Sequence, residues 1–75
     1  MIIEIYGKDA CSQCEMALHK AQAMVQESTN KFTYKKLGVD FNREELLVQF
    51  PTARTFPQIK IDGVSIGGWT EFQKI

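Results

Sequence analysis

Ile3-Glu4-Ile5-Tyr6-Gly7-Lys8-Asp9-Ala10-Cys11-Ser12-Gln13-Cys14 is the stretch on which the reading of this chain turns. Ile2 to Tyr6 is β-branched and aromatic and reads as a buried strand. Gly7 to Ala10 is a loop. From Ser12 to about Gln26, the residues Cys14, Ala17, Leu18, Ala21, Met24 and Val25 recur at helical spacing and form one apolar face. Both cysteines of the chain therefore sit where a strand hands over to a helix. A thiol at a helix N-terminus has its thiolate stabilised by the free N–H groups and the helix dipole. Two thiols at C-x-x-C spacing can close a small disulfide ring and reopen it. The same four residues can also be half of a zinc site, or simply two buried thiols.

The rest of the chain narrows the fold. Ser28-Thr29-Asn30 ends the helix, and Lys31 to Val39 reads as a second strand with Phe32 and Tyr34 on one face. Asp40 or Asn42 can cap a short helix to Phe50, with Leu46, Leu47 and Phe50 on its apolar side, and Pro51 stops it. Pro57 to Ile61 and Val64 to Ile66 read as strands joined by the hairpin signal Asp62-Gly63. Gly67-Gly68 breaks the sheet, and Thr70 can cap a last helix ending at Ile75. The order is βαβ-α-ββ-α. A right-handed crossover makes the first two strands parallel. The expectation is an α/β domain spanning 1–75, a four-stranded mixed sheet with helices on both faces. The cysteine pair falls at the carboxyl edge of that sheet, where open α/β sheets usually carry their sites.

Composition excludes several classes. Nine basic and nine acidic side chains cancel, so no net field draws the chain to nucleic acid or to a membrane. Met1-Ile2-Ile3-Glu4-Ile5 lacks the basic flank and long apolar stretch of a signal peptide, and no run approaches transmembrane length. Two cysteines without a secretory signal point to a reducing, cytoplasmic compartment and to redox or metal chemistry. A zinc site needs about four ligands. The chain has one histidine, His19, and no second cysteine pair, so no metal is expected.

Three landmarks in order resemble the glutaredoxin family: the strand, loop and C-x-x-C quoted above, then Thr55-Phe56-Pro57-Gln58-Ile59, then Ile66-Gly67-Gly68 after the hairpin. The resemblance covers nearly the whole chain and implies the minimal thioredoxin fold. It implies that Cys11 is the exposed, attacking thiol. Such a site lowers a thiol pKa from about 8.5 toward roughly 3.5–7.5; Lys8 would help and Asp9 would oppose. Cys14, one turn further in, is then the resolving thiol. Pro57 is expected to be cis, with Phe56 offering its backbone to the cysteine of glutathione. Gly67-Gly68 would let the backbone approach the γ-glutamyl end, whose carboxylate the next residues bind in the family; Trp69, Thr70 and Glu71 occupy that place here, with Gly68, Trp69 and Thr70 as the expected contacts. Lys8 and Arg54 are candidates for the glycyl carboxylate, and Gln13 and Thr55 complete the expected glutathione contacts. Tyr6, similar to the aromatic that ends the family's first strand, is expected to serve packing. His19, Met16 and Met24 are read as surface or packing residues, and Lys35-Lys36 as a strand-edge solubility feature.

The chain departs from the family pattern inside the motif and beside it. Ser12 and Gln13 stand where glutaredoxins commonly have Pro-Tyr, and Phe56 where they have Val. Gln before the second cysteine resembles small redoxins recharged by thioredoxin reductase, which is the rival reading. A second rival is a module that binds a [2Fe–2S] cluster through the first cysteine and glutathione. The function implied by the resemblance is a monomeric, glutathione-dependent dithiol oxidoreductase. It would reduce protein and low-molecular-weight disulfides and glutathione mixed disulfides, with ribonucleotide reductase as one candidate client.

Overall fold

The computed structural model describes residues 1–75. In chain order the elements are β1 (Ile2–Gly7), α1 (Ser12–Glu27), β2 (Lys31–Lys36), α2 (Arg43–Gln49), β3 (Gln58–Ile61), β4 (Val64–Gly67) and α3 (Trp69–Phe72). The sheet order is β2-β1-β3-β4. β1 pairs parallel with β2 and antiparallel with β3, and β3 pairs antiparallel with β4. The expected mixed α/β sheet is therefore present.

Alternation along β1 explains why helices cover both faces. Ile3 and Ile5 point to one side, where they meet Ala17 and Ala21 of α1, Ile59 of β3 and Phe72 of α3. All six side chains of that cluster are completely buried. The alanines at helical spacing let α1 lie close to the sheet. Tyr6 points the other way and joins Phe41, Leu46 and Phe50 on the α2 side. Its ring meets Phe41 and Phe50 edge-on, with centroids 5.2 and 5.0 Å away. Tyr6 thus packs as expected.

Several details differ from the expectation, each for a local reason. β2 stops at Lys36, not Val39. Gly38 takes φ +85°, and the Asp40 carboxylate accepts the Lys36 N–H at 2.8 Å, which turns the chain out of the sheet. Asp40 is thus used in that turn, and Asn42 caps α2: its side chain accepts the Glu45 N–H while Glu45 accepts the Asn42 N–H. Leu47 leaves the buried face of α2 and is 40% exposed. Pro57, without an N–H to offer the ladder, precedes β3 instead of opening it. α3 begins one residue before Thr70 and ends at Phe72. Gly68 is its N-cap position, and the Glu71 side chain reaches back to accept the Gly68 N–H at 2.8 Å.

Candidate active site

Three segments meet at one end of the sheet by register alone. β1 ends at Gly7, and its neighbour Tyr6 pairs with Gln58, the first residue of β3. Pro57 therefore stands beside the loop that leads from Gly7 to Cys11. The other edge of β3 pairs Ile59 with Gly67, which brings the double glycine to the same end. A Cβ on Gly68 would lie 3.0 Å from the Pro57 carbonyl oxygen, so the two backbones run in close contact.

The cysteines occupy unequal positions. Ala10 adopts φ +52°, an uncommon conformation for a residue with a side chain, and turns the loop into α1. Cys11 is the N-cap residue and is half-buried, whereas Cys14 is completely buried against the helix face. The Cys14 N–H donates to Cys11 Sγ at 3.2 Å. The two sulfurs form a disulfide, with Cα atoms 5.2 Å apart. Ser12 and Gln13 between them are exposed.

Just ahead of β3, the Phe56–Pro57 peptide bond is cis, as expected. Pro57 is fully buried. Buried Gln58 donates from its side-chain amide to the Thr55 carbonyl at 2.9 Å, which fixes the segment ahead of the proline. The Phe56 ring stacks on Phe41 with centroids 6.5 Å apart, and Lys8 Nζ sits 5.5 Å from its centre. Lys8 is thus drawn to the Thr55-Phe56-Pro57 wall. Arg54 and Thr55 are exposed beside it. Trp69 is half-buried and meets Phe72 edge-on at 6.4 Å; Thr70 is exposed within α3.

Several residues outside the expected glutathione contacts shape this region. The Asp9 carboxylate lies 2.8 Å from Lys36 Nζ, so Asp9 is ion-paired, and Lys36 serves that pair as well as the strand edge. The hydrogen bond to Asp9 holds the Lys36 ammonium above its ordinary pKa. The Tyr34 ring covers Gly7, where no side chain would fit. Burial first, then Asp9 and Glu15, push the Tyr34 hydroxyl upward. Gln58 and Glu71 complete the group. The glycine–x–x–Glu spacing of Gly68 and Glu71 is a cap signal the sequence does carry. The Asp9–Lys36 contact is long-range and leaves no local pattern. His19 is exposed, and no three side chains of His, Cys, Asp or Glu come together anywhere in the structure. No helix is long and apolar enough to cross a membrane.

A four-stranded mixed sheet with a C-x-x-C pair at the start of its first helix and a cis-proline leading into β3 at the same end of the sheet defines a thiol–disulfide oxidoreductase of the thioredoxin fold. Comparison with solved structures sharpens this. Over 99% of this chain and 91% of the other, the structure is similar to reduced Escherichia coli glutaredoxin, at 27% identity and a TM-score of 0.79. The same coverage holds for oxidised E. coli glutaredoxin, at 28% identity and a TM-score of 0.80. A third E. coli glutaredoxin structure matches at 28% identity with a TM-score of 0.71. No protein-family model and no curated protein matches the chain. The chain is a thiol–disulfide oxidoreductase whose fold is similar to that of glutaredoxin, and the resemblance read from its three landmarks extends over 99% of its length.

Proposed function

We propose that the chain reduces disulfides at the expense of glutathione, with Cys11 as nucleophile and Cys14 as resolving thiol. The observation that carries the assignment is the contrast in burial: Cys11 is reachable at the helix start, and Cys14 is sealed beneath it. As a thiolate, Cys11 attacks one sulfur of a client disulfide. A Cys11–client bond forms, and the other client sulfur leaves as a thiolate. Cys14, deprotonated, then attacks Cys11 Sγ, releasing the second client thiolate and closing the Cys11–Cys14 disulfide. Two glutathione thiols reopen it and leave as one glutathione disulfide. In this reading the Phe56 backbone pairs with the cysteine of glutathione, and Lys8, Gln13, Arg54 and Thr55 line its glycyl side. Gly68, Trp69 and Thr70 line its γ-glutamyl side. Ribonucleotide reductase is one candidate client.

One observation favours a second reading. The Gly68 N–H, a candidate donor to glutathione, is already taken by Glu71. That weakens the glutamyl end of the groove and keeps a redoxin recharged by thioredoxin reductase in play. The test supplies oxidised protein with glutathione and its reductase in one arm, and with thioredoxin reductase in the other. Faster reduction in the first arm is expected; preference for the second selects the redoxin. Cys11→Ser is expected to abolish exchange. Cys14→Ser is expected to keep removal of glutathione from mixed disulfides and to lose dithiol reduction. Full activity in Cys11→Ser refutes the assignment.

A further inference from the structure

Beside the Thr55-Phe56 wall, on the α2 side, lies a cavity bounded by Leu37, Leu46, Leu47 and Phe56 and by the guanidinium residues Arg43 and Arg54. No acidic side chain lines it. It explains why Leu47 departs from the buried face of α2: the side chain lines this recess while its neighbour Leu46 fills the core. Phe56 contributes to the cavity and stacks on Phe41 behind it.

We infer that this cavity receives the part of a protein client that follows its reacting cysteine, and selects an apolar residue next to a carboxylate. The inference rests on the reading that a substrate cysteine pairs with the Phe56 backbone. In antiparallel pairing, residues after that cysteine run opposite Thr55 and Arg54. At about 3.3 Å per residue, the first three of them reach the cavity mouth. The leucine and phenylalanine walls fit an apolar side chain. Two arginines without a lining acid complement an anion, and the guanidinium fork suits a carboxylate. Glutathione ends at its glycine and cannot reach the apolar part, so the cavity distinguishes protein clients from the tripeptide.

The test uses the Cys14→Ser protein carrying glutathione on Cys11. A peptide thiolate attacks Cys11 Sγ, glutathione leaves as its thiolate, and the exchange constant is read by mass spectrometry. Peptides with Cys-Gly-Leu-Glu, Cys-Gly-Leu-Lys and Cys-Gly-Gly-Glu are compared with Glu-Leu-Gly-Cys. Cys-Gly-Leu-Glu is expected to exceed its lysine counterpart by roughly two- to fivefold, the range of an exposed ion pair. It should exceed the glycine peptide by about tenfold, the scale of an apolar side chain in a pocket. Arg43→Glu should reverse the Glu/Lys order, and Leu47→Ser should remove the leucine advantage. Neither change should alter exchange with cysteamine. Equal exchange of the peptides, a preference that survives Arg43→Glu, or the same preference in Glu-Leu-Gly-Cys overturns the inference. So does a dimer abolished by Leu47→Ser, which would make a second copy the occupant. Failure of every thiol, cysteamine included, to form a mixed disulfide at Cys11 refutes instead the dithiol reading beneath it.

Discussion

Gly67→Ala isolates the contact that holds the double glycine in place. Gly67 has φ +109°, a region that costs a residue with a Cβ about 1–3 kcal/mol. The added Cβ would also come within 2.6 Å of Glu71 Oε1 and 3.0 Å of Glu71 Cγ. Glu71 can move aside only by releasing the Gly68 N–H, a cap interaction of about 0.5–2 kcal/mol. The two effects together come to about 3 kcal/mol, against a total stability of about 4–11 kcal/mol for a chain of this length. Gly63→Ala is the control. Gly63 has φ +82° in the hairpin turn, but nothing lies within 4 Å of its would-be Cβ. That variant should suffer only the backbone cost. In urea, with a slope of about 1 kcal/mol per molar, the two midpoints should differ by about 1 M. In a Glu71→Ala background the extra cost of Gly67→Ala should vanish, since the partner of the collision is gone. A Gly67→Ala no more destabilised than Gly63→Ala, or an excess that persists without Glu71, refutes the reasoning.

Two further outcomes follow from the same side of the sheet. The Gly68 N–H holds the Glu71 carboxyl below its ordinary pKa. A depressed folded-state pKa contributes stability that is present above the unfolded value and lost as pH falls through the folded one. Wild-type stability should therefore drop on acidification through the carboxylate range more steeply than that of Glu71→Gln. Parallel acid-denaturation curves would contradict it. Phe72→Ala, at a fully buried position in the α1–α3 cluster, should cost about 3–5 kcal/mol. Val48→Ala, 77% exposed, should stay within about 0.5 kcal/mol. Comparable melting temperatures for the two variants would mean that the core has been misassigned.

The order of elements, the parallel β1–β2 pair, the β3–β4 hairpin and the two cysteine environments could be read from residue patterns because periodicity and turn signals carry them; the antiparallel β1–β3 pairing, between strands far apart in sequence, leaves no such signal. The alternation of Ile3, Ile5 and Tyr6 predicts a strand with two covered faces, and the helical spacing of Cys14, Ala17 and Ala21 predicts which thiol is buried. Asp62-Gly63 is a turn signal, and both residues take positive φ. What escaped the pattern depends on partners distant in sequence or on backbone shape. Leu47 has helical spacing suited to the core, but the recess beside Phe56 leaves it open. Asp9 beside Cys11 reads as an unfavourable charge until Lys36, across the sheet, is placed against it. Ala10 carries no glycine to announce its positive φ. Thr70 has the chemistry of a cap, yet Gly68 with Glu71 supplies the cap two residues earlier.

The bond from the Cys14 amide to Cys11 Sγ has a consequence for how the protein's electronic state is felt along the backbone. A sulfur shared in a disulfide is a weak acceptor; a thiolate sulfur carries a full charge and accepts strongly. Two electrons entering the pair therefore tighten the first turn of α1, and their departure loosens it. Exchange of the Cys14 amide proton with solvent should slow on reduction and quicken on oxidation. The helix end would then serve as a gauge of redox state, presenting a client with a firmer or a softer rim according to whether electrons are available to give.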